Sequence, residues 1–326
     1  MAESESTAST PARPLRVGVS SCLLGSTVRF DGGHKRDHFL VEDLGPYVEF
    51  VPVCPEVESG LPIPRPTLRL VGEVDAPRLV FGDSGEDYTD RLEAWAKVKL
   101  DAIAQLELCG YVLKSDSPSC GLERVKVYNP HGMPSKKGRG TFAAALKRRF
   151  PLLPVEEEGR LHDAKLRETF VESIFAYRRW RDLAEQGVTV ARLVDFHRVH
   201  KYLLLAHSPE HYSSLGRLVA GGKKLGRAEL AERYGTGFME AFARQASRGR
   251  HFNVLQHMAG YFKDDLDDAS REELHRTLED YRAALVPLIV PITLIRHHVR
   301  ARDVAYLRDQ IYLSPHPKEL MLRNHV

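Results

Sequence analysis

Three of the four cysteines in this 326-residue chain share a local setting. Cys22 follows a short β-branched run in Ser20-Ser21-Cys22-Leu23-Leu24-Gly25. Cys54 closes Val48–Cys54 just before Pro55-Glu56. Cys120 lies past Tyr111–Lys114, in Lys114-Ser115-Asp116-Ser117-Pro118-Ser119-Cys120-Gly121. In an open parallel sheet the carboxyl ends of the strands open into one crevice, so thiols delivered by three strands could meet there. Cys109 ends a helical run, belongs at the opposite edge and is set aside. Three convergent thiolates could hold zinc, which takes four protein ligands in a structural site and three plus water in a catalytic one. They could also hold a cubane iron–sulfur cluster, where three ligands leave one iron open, and such an iron suits a sulfur-bearing substrate. The plain alternative is three scattered thiols, since free cysteine is among the most buried residue types. No CxxC spacing decides between these readings.

The elements that must position these thiols read as alternating strands and helices over the first half. Strand runs at Arg16–Leu24, Val48–Cys54, Tyr111–Lys114, Val125–Tyr128 and Leu152–Val155 are separated by helical spacing at Tyr88–Cys109 and near Thr141–Phe150. A small hairpin is expected around Asp75-Ala76-Pro77. The fold class is therefore α/β, a three-layer domain with a mainly parallel sheet, followed by an all-α domain. Glu156–Gly159 reads as a charged, turn-like boundary. Beyond it helices are expected at 161–185, 190–205, 210–221, 227–245, 254–262, 271–285 and 291–300. Arg248-Gly249-Arg250 reads as a loop, and Pro287 and Pro291 are expected to break or kink the helix around Leu285–Arg296. The expected domains are 1–14, a disordered tail; 15–157, the α/β domain; and 158–326, the helical domain.

Composition excludes a disordered or fibrous chain: 43% of residues are hydrophobic and 28% charged. No run of 18 apolar residues exists, so no membrane-spanning helix is expected. Met1–Pro14 lacks the basic and apolar regions of a signal peptide, and the expected location is cytoplasmic. Net charge is +3. Residues 1–155 are neutral in sum, so the surplus lies in the helical half with 12 of the 15 histidines. That half carries basic residues among aromatics and histidines, as in Arg198 with Lys201-Tyr202, Arg248-Gly249-Arg250-His251 and Arg296-His297-His298-Val299-Arg300. Taken singly, each cluster reads as a solvated helix face; together they suit phosphate contacts with base stacking. His197 and His200 lie three apart, without a third ligand at metal-binding spacing.

The ordered set Ser-Ser-Cys-Leu-Leu-Gly, Val28–Gly32 (VRFDG), Cys54-Pro55-Glu56 with Gly60-Leu61-Pro62 and Pro64-Arg65-Pro66, and Lys114–Gly121 resembles the thiouracil desulfidase family over about residues 15–155. The second half resembles the helical domain fused to it in the RNA 4-thiouridine desulfidases. Its matching stretches are Asp195–Pro209, Gly249–His257, Val286–Pro291 and Pro315-His316-Pro317. The resemblance implies a [4Fe–4S] cluster on Cys22, Cys54 and Cys120 with one open iron, and catalytic roles for Glu56 and Ser117. It implies desulfuration of 4-thiouridine in tRNA, with small thiolated pyrimidines as the alternative substrate and no obligate protein partner. A non-enzymatic RNA-binding protein with a structural metal is the third reading. Arg29 and Asp31, in the loop after Cys22, and Arg65, between two prolines, are candidates to contact substrate in the crevice. Each also reads as a structural ion-pair partner. Candidate RNA contacts are Arg198, Lys201, Arg250, Arg296 and Arg300.

Overall fold

The structure, a computed structural model, describes residues 14–325; nearly all of the tail expected at 1–14 lies outside the described residues. The chain divides into two compact units between Arg160 and Leu161. The first contains β1 (Arg16–Ser20), β2 (Glu49–Val53), α1 (Pro55–Glu58), β3 (Leu68–Glu73), β4 (Ala76–Phe81), α2 (Thr89–Ala104), β5 (Gly110–Leu113), β6 (Val125–Tyr128), β7 (Pro134–Gly138), α3 (Thr141–Arg149) and β8 (Val155–Glu157).

One sheet has the order β2-β1-β5-β8 and is parallel throughout. Both of its inner strands are buried end to end or nearly so, which explains their near-continuous apolar runs. The chain leaves β1 toward β2 and leaves β5 toward β8, on opposite sides. The β1/β5 junction is thus a topological switch point, the place where such sheets bind ligands.

The structure adds a second sheet, β4-β3-β6-β7, where the sequence suggested one. It joins the β3–β4 hairpin to the β6–β7 hairpin through a parallel β3–β6 pair. Leu70, Leu79, Val125 and Val127 of this sheet pack with Leu61, Tyr88 and Leu92 in one buried cluster. The strand Pro134–Gly138 (PSKKG) carries no apolar alternation, so periodicity could not reveal it.

The second unit is helical: α4 (Ala164–Glu185), α5 (Val190–Val199), α6 (Lys201–His207), α7 (Pro209–Gly221), α8 (Arg227–Phe242), α9 (Arg248–Ala259), α10 (Asp268–Arg282), α11 (Ile289–Ala301) and α12 (Ala305–Arg308). Three expectations need correction. The run 190–205 is two helices, divided at His200. Arg248-Gly249-Arg250 is the first turn of α9, because Ser247 caps it by accepting the Arg250 amide. Pro287 does lie in the break between α10 and α11, but Pro291 sits in the first turn of α11, where no intrahelical donor is lost, and does not kink it. Among the described residues, no helix is long and apolar enough to cross a membrane.

Candidate active site

Three adjacent strands carry the three cysteines to one edge. Cys22 sits in a tight helical turn directly after β1, closed by Gly25, whose φ of 97° is left-handed and whose amide donates to the Cys22 and Ser21 carbonyls. Cys54 begins α1 after β2. Its amide donates to Glu58 Oε1 at 2.9 Å, the carboxylate of the last helical residue reaching back to the cap. Pro55 occupies the first helical position, so the chain turns sharply there.

Cys120 ends the loop after β5, held from several sides. The amides of Thr141 and Phe142, in the first turn of α3, donate to the Pro118 and Ser119 carbonyls at 3.1 and 3.0 Å. Gly140 has no room for a side chain, since a Cβ would lie 2.5 Å from the Ser119 oxygen. Glu158 accepts from the Ser115 amide at 2.7 Å and hydroxyl at 2.8 Å, and pairs with Lys114. Glu157 accepts from the Leu122 amide at 2.7 Å. The stretch Glu156–Gly159 is therefore not a plain charged turn. Glu156 and Glu157 end strand β8, and Glu157 and Glu158 are buried against the cysteine loop.

The three thiols line one cleft of about 380 Å³, together with Arg29, Phe30, Lys35, Glu56, Arg65, Lys114 and Ser117. Burial first, and then the neighbouring Cys54, pushes the Cys22 thiol up to about 11. Burial likewise raises Cys54 and Cys120, with Cys54 acting on Cys120 as a charged neighbour. Loading a metal would therefore have to displace protons from all three. Cys109 is fully buried just before β5, away from this edge.

Glu56 is the acidic group with the most connections in the cleft. One carboxylate oxygen accepts from the Ser119 hydroxyl at 2.9 Å. The other accepts from both Arg65 Nε at 2.9 Å and an Arg65 terminal nitrogen at 2.6 Å. The Arg65 side chain is 2% exposed and also donates to the Val28 carbonyl at 3.0 Å. Arg65 thus acts on Glu56, although the cleft wall includes it. Ser119 is wholly buried, and the sequence reading missed its role because its partner lies 63 residues away. Ser117 Oγ accepts from the Ser119 and Cys120 amides at 3.3 and 3.1 Å, the turn geometry of a hydroxyl before proline. Arg29 lines the cleft, with its guanidinium 5.4 Å from the Phe30 ring centre. Asp31 is turned into its own loop, accepting the Gly33 amide at 2.9 Å.

The five candidate RNA residues do not form one group. Arg198 pairs with Asp195 and Asp309. The Lys201 ammonium lies 4.9 Å from the Tyr202 ring centre and 5.8 Å from that of Tyr306. Arg296 and Arg300 lie one turn apart on α11, and burial, then Arg300, lowers Arg296. Arg250 lines a separate cavity.

The 2-thiouracil desulfurase family model matches residues 17–158, the whole sheet system that builds this cleft. A protein of Escherichia coli (strain K12), "Uncharacterized protein YbgA", is 31% identical over 152 residues, 46% of this chain and 90% of that protein. The chain belongs to the 2-thiouracil desulfurase family. A second relative, "Uncharacterized protein YbbK" of Bacillus subtilis (strain 168), is 31% identical over 135 residues, 40% of this chain and 87% of that protein. A solved structure, the [4Fe-4S]-dependent thiouracil desulfidase TudS, shares 33% identity over 45% of this chain and 93% of its own, with a TM-score of 0.38. Residues 201–317 match a second family model, a protein of unknown function (DUF1722).

Proposed function

We propose that this chain is a cytoplasmic iron–sulfur-dependent desulfidase that converts 4-thiouridine in tRNA to uridine, releasing sulfide. The observation that carries the reading is one cleft walled by three thiols and the doubly anchored carboxylate of Glu56. The donors fit the cofactor. All three are soft sulfur ligands on one cleft, the donor set that iron–sulfur clusters take. The residues that would hold the cluster are Cys22, Cys54 and Cys120, leaving one iron open. Bound there, a [4Fe–4S] cluster with an open iron would supply a Lewis acid for the thiocarbonyl sulfur.

The chain's own residues do the rest. Water adds at the thiocarbonyl carbon as Glu56 takes its proton. The carbon–sulfur bond then breaks and sulfur leaves as hydrogen sulfide, so C=S becomes C=O without net oxidation. Arg65 and Ser119 hold the Glu56 carboxylate in one orientation. The Ser117 oxygen is occupied by two amides, which leaves its hydrogen to donate to the water or the departing sulfur. Arg29 and Phe30 wall the cleft on the substrate side. For tRNA, contacts are assigned to Arg198, Lys201, Arg250, Arg296 and Arg300. Lys201 among tyrosine rings has the pairing of charge and aromatic face that stacks and neutralises a nucleotide chain. The family's own description favours one second reading, a free thiouracil substrate.

The test uses the full chain purified without oxygen. Iron and acid-labile sulfide are measured per chain, then loss of thiocarbonyl absorbance is followed on 4-thiouridine-containing tRNA. About four irons per chain, with turnover lost in Cys22→Ala, Cys54→Ala and Cys120→Ala, is the expected result. Iron with turnover on free thiouracil alone would favour the second reading. Zinc, or no metal after reconstitution, would overturn the mechanism.

A further inference from the structure

A second cavity, of about 350 Å³, lies within the helical unit. Lys165 from α4 and Arg248 and Arg250 from the first turn of α9 line it, together with His251, Glu168 and Tyr281. From the geometry we infer that this cavity is a phosphate-binding site, separate from the cysteine cleft and independent of the desulfidase reading.

The first argument is charge. Among the described residues Lys165, Arg248 and Arg250 make no ion pair with a carboxylate, whereas many arginines of this unit do. Arg250 donates to the Gln245 carbonyl, and its Nε has no hydrogen-bond partner. The Arg248 guanidinium rests 5.8 Å from the Tyr281 ring centre. Three cations lining one partly enclosed space repel one another until an anion enters. The acids of the same wall do not offset them. Glu172 is committed to Arg323 at 2.6 Å and to His207 at 2.7 Å. Glu168 is likewise committed, to Arg323 at 3.3 Å and to His325 at 3.4 Å.

The second argument is the set of donors. Ser247 satisfies the Arg250 and His251 amides, so the Arg248 and Gly249 amides at the start of this twelve-residue helix stay uncapped. Their dipole end attracts an anion, and a Cβ at Gly249 would meet nothing within 4 Å, so the approach is open. His251 is 5% exposed and lines the cavity. Its Nδ1 pairs with Tyr312 Oη at 2.9 Å, which leaves Nε2 without a partner. With the tyrosine hydroxyl donating to Nδ1, the neutral ring presents an Nε2–H donor. A phosphate group uses this mixture of guanidinium, ammonium and neutral donors better than a monoanionic carboxylate does.

The phosphate could belong to a free nucleotide or to an RNA chain. The experiment titrates the full chain with inorganic phosphate, with uridine 5′-monophosphate and with a short single-stranded RNA lacking terminal phosphates. Saturable binding of inorganic phosphate is expected, weakened roughly tenfold in Arg248→Ala and in Arg250→Ala. Arg250→Lys, which keeps the charge, should restore part of it. Tighter binding of the nucleotide than of the RNA would assign the site to a free nucleotide; the reverse would assign it to the RNA backbone. No saturable binding, or binding unchanged in both alanine variants with native thermal unfolding, would overturn the site. Iron per chain, read on the same samples, is expected to be unchanged, so failure here is distinct from failure of the cluster.

Discussion

At the scale of single residues, the chemistry of the cleft depends on how Glu56 is held. A half-buried carboxylate that loses its ion-pair partner is costly, so Arg65→Ala should destabilise the chain by about 1–3 kcal/mol and abolish desulfuration. Arg65→Lys keeps the charge but has no planar fork to reach both the Glu56 oxygen and the Val28 carbonyl, and an intermediate kcat is expected. Ser119→Ala removes one hydrogen bond to the other carboxylate oxygen. It should lower kcat roughly tenfold with iron content unchanged, as measured by single-turnover absorbance beside an iron assay. A Ser119→Ala enzyme with wild-type kcat would show that this contact does not orient Glu56.

At the scale of elements, the Cys120 loop is clamped between α3 and the end of β8. Glu157 and Glu158 are held against it, and α3 donates two amides to its carbonyls. Glu158→Ala leaves Lys114 and the Ser115 amide with no carboxylate, so the loop should loosen and cluster reconstitution should fall. A Glu158→Ala, Lys114→Met double variant should lose less than the sum of the two, with a coupling on the order of 1–3 kcal/mol in urea unfolding. Gly140→Ala presses a methyl group onto the Ser119 carbonyl. Its expected signature is lower iron per chain, measured after identical reconstitution.

At the scale of the whole molecule, buried neutral histidines set the response to acid. Burial lowers His197 and His316 to about 4 and His251 to about 3, from an ordinary value of 6.5, and lowers His200 as well. The unfolded chain takes up protons at these sites below pH 6.5 while the folded chain does not, so stability falls as pH drops through that window. For a fully buried ring such as His251 the loss reaches about 2 kcal/mol by pH 5. The measurement is urea unfolding at pH 5 and 7.5, followed by the fluorescence of buried Trp180 in a Trp95→Phe background. Equal midpoints at the two pH values would refute the assignment. Glu168 acts in the opposite direction. Its folded carboxyl is raised by burial and by Glu172, so its contribution is present at low pH and lost as pH rises through the folded value.

The sequence by itself determined the α/β-then-helical order and the three cysteine positions, because strand ends, Cys-Pro-Glu and the Ser-x-Ser-Pro-Ser-Cys turn are local patterns. It also placed the β3–β4 hairpin. What it could not show were partners remote along the chain: Ser119 and Arg65 on Glu56, or Glu158 on Lys114. The three acids at 156–158 read as a charged, turn-like boundary because nothing local distinguishes an exposed glutamate from one closing a loop remote in the chain. Arg248-Gly249-Arg250 read as a loop because glycine disfavours helix interiors, yet a first turn capped by Ser247 tolerates it. The second sheet was hidden because its edge strand has no apolar alternation. Only the tertiary structure decided these, since burial and hydrogen-bond partners are settled by which distant segments pack together.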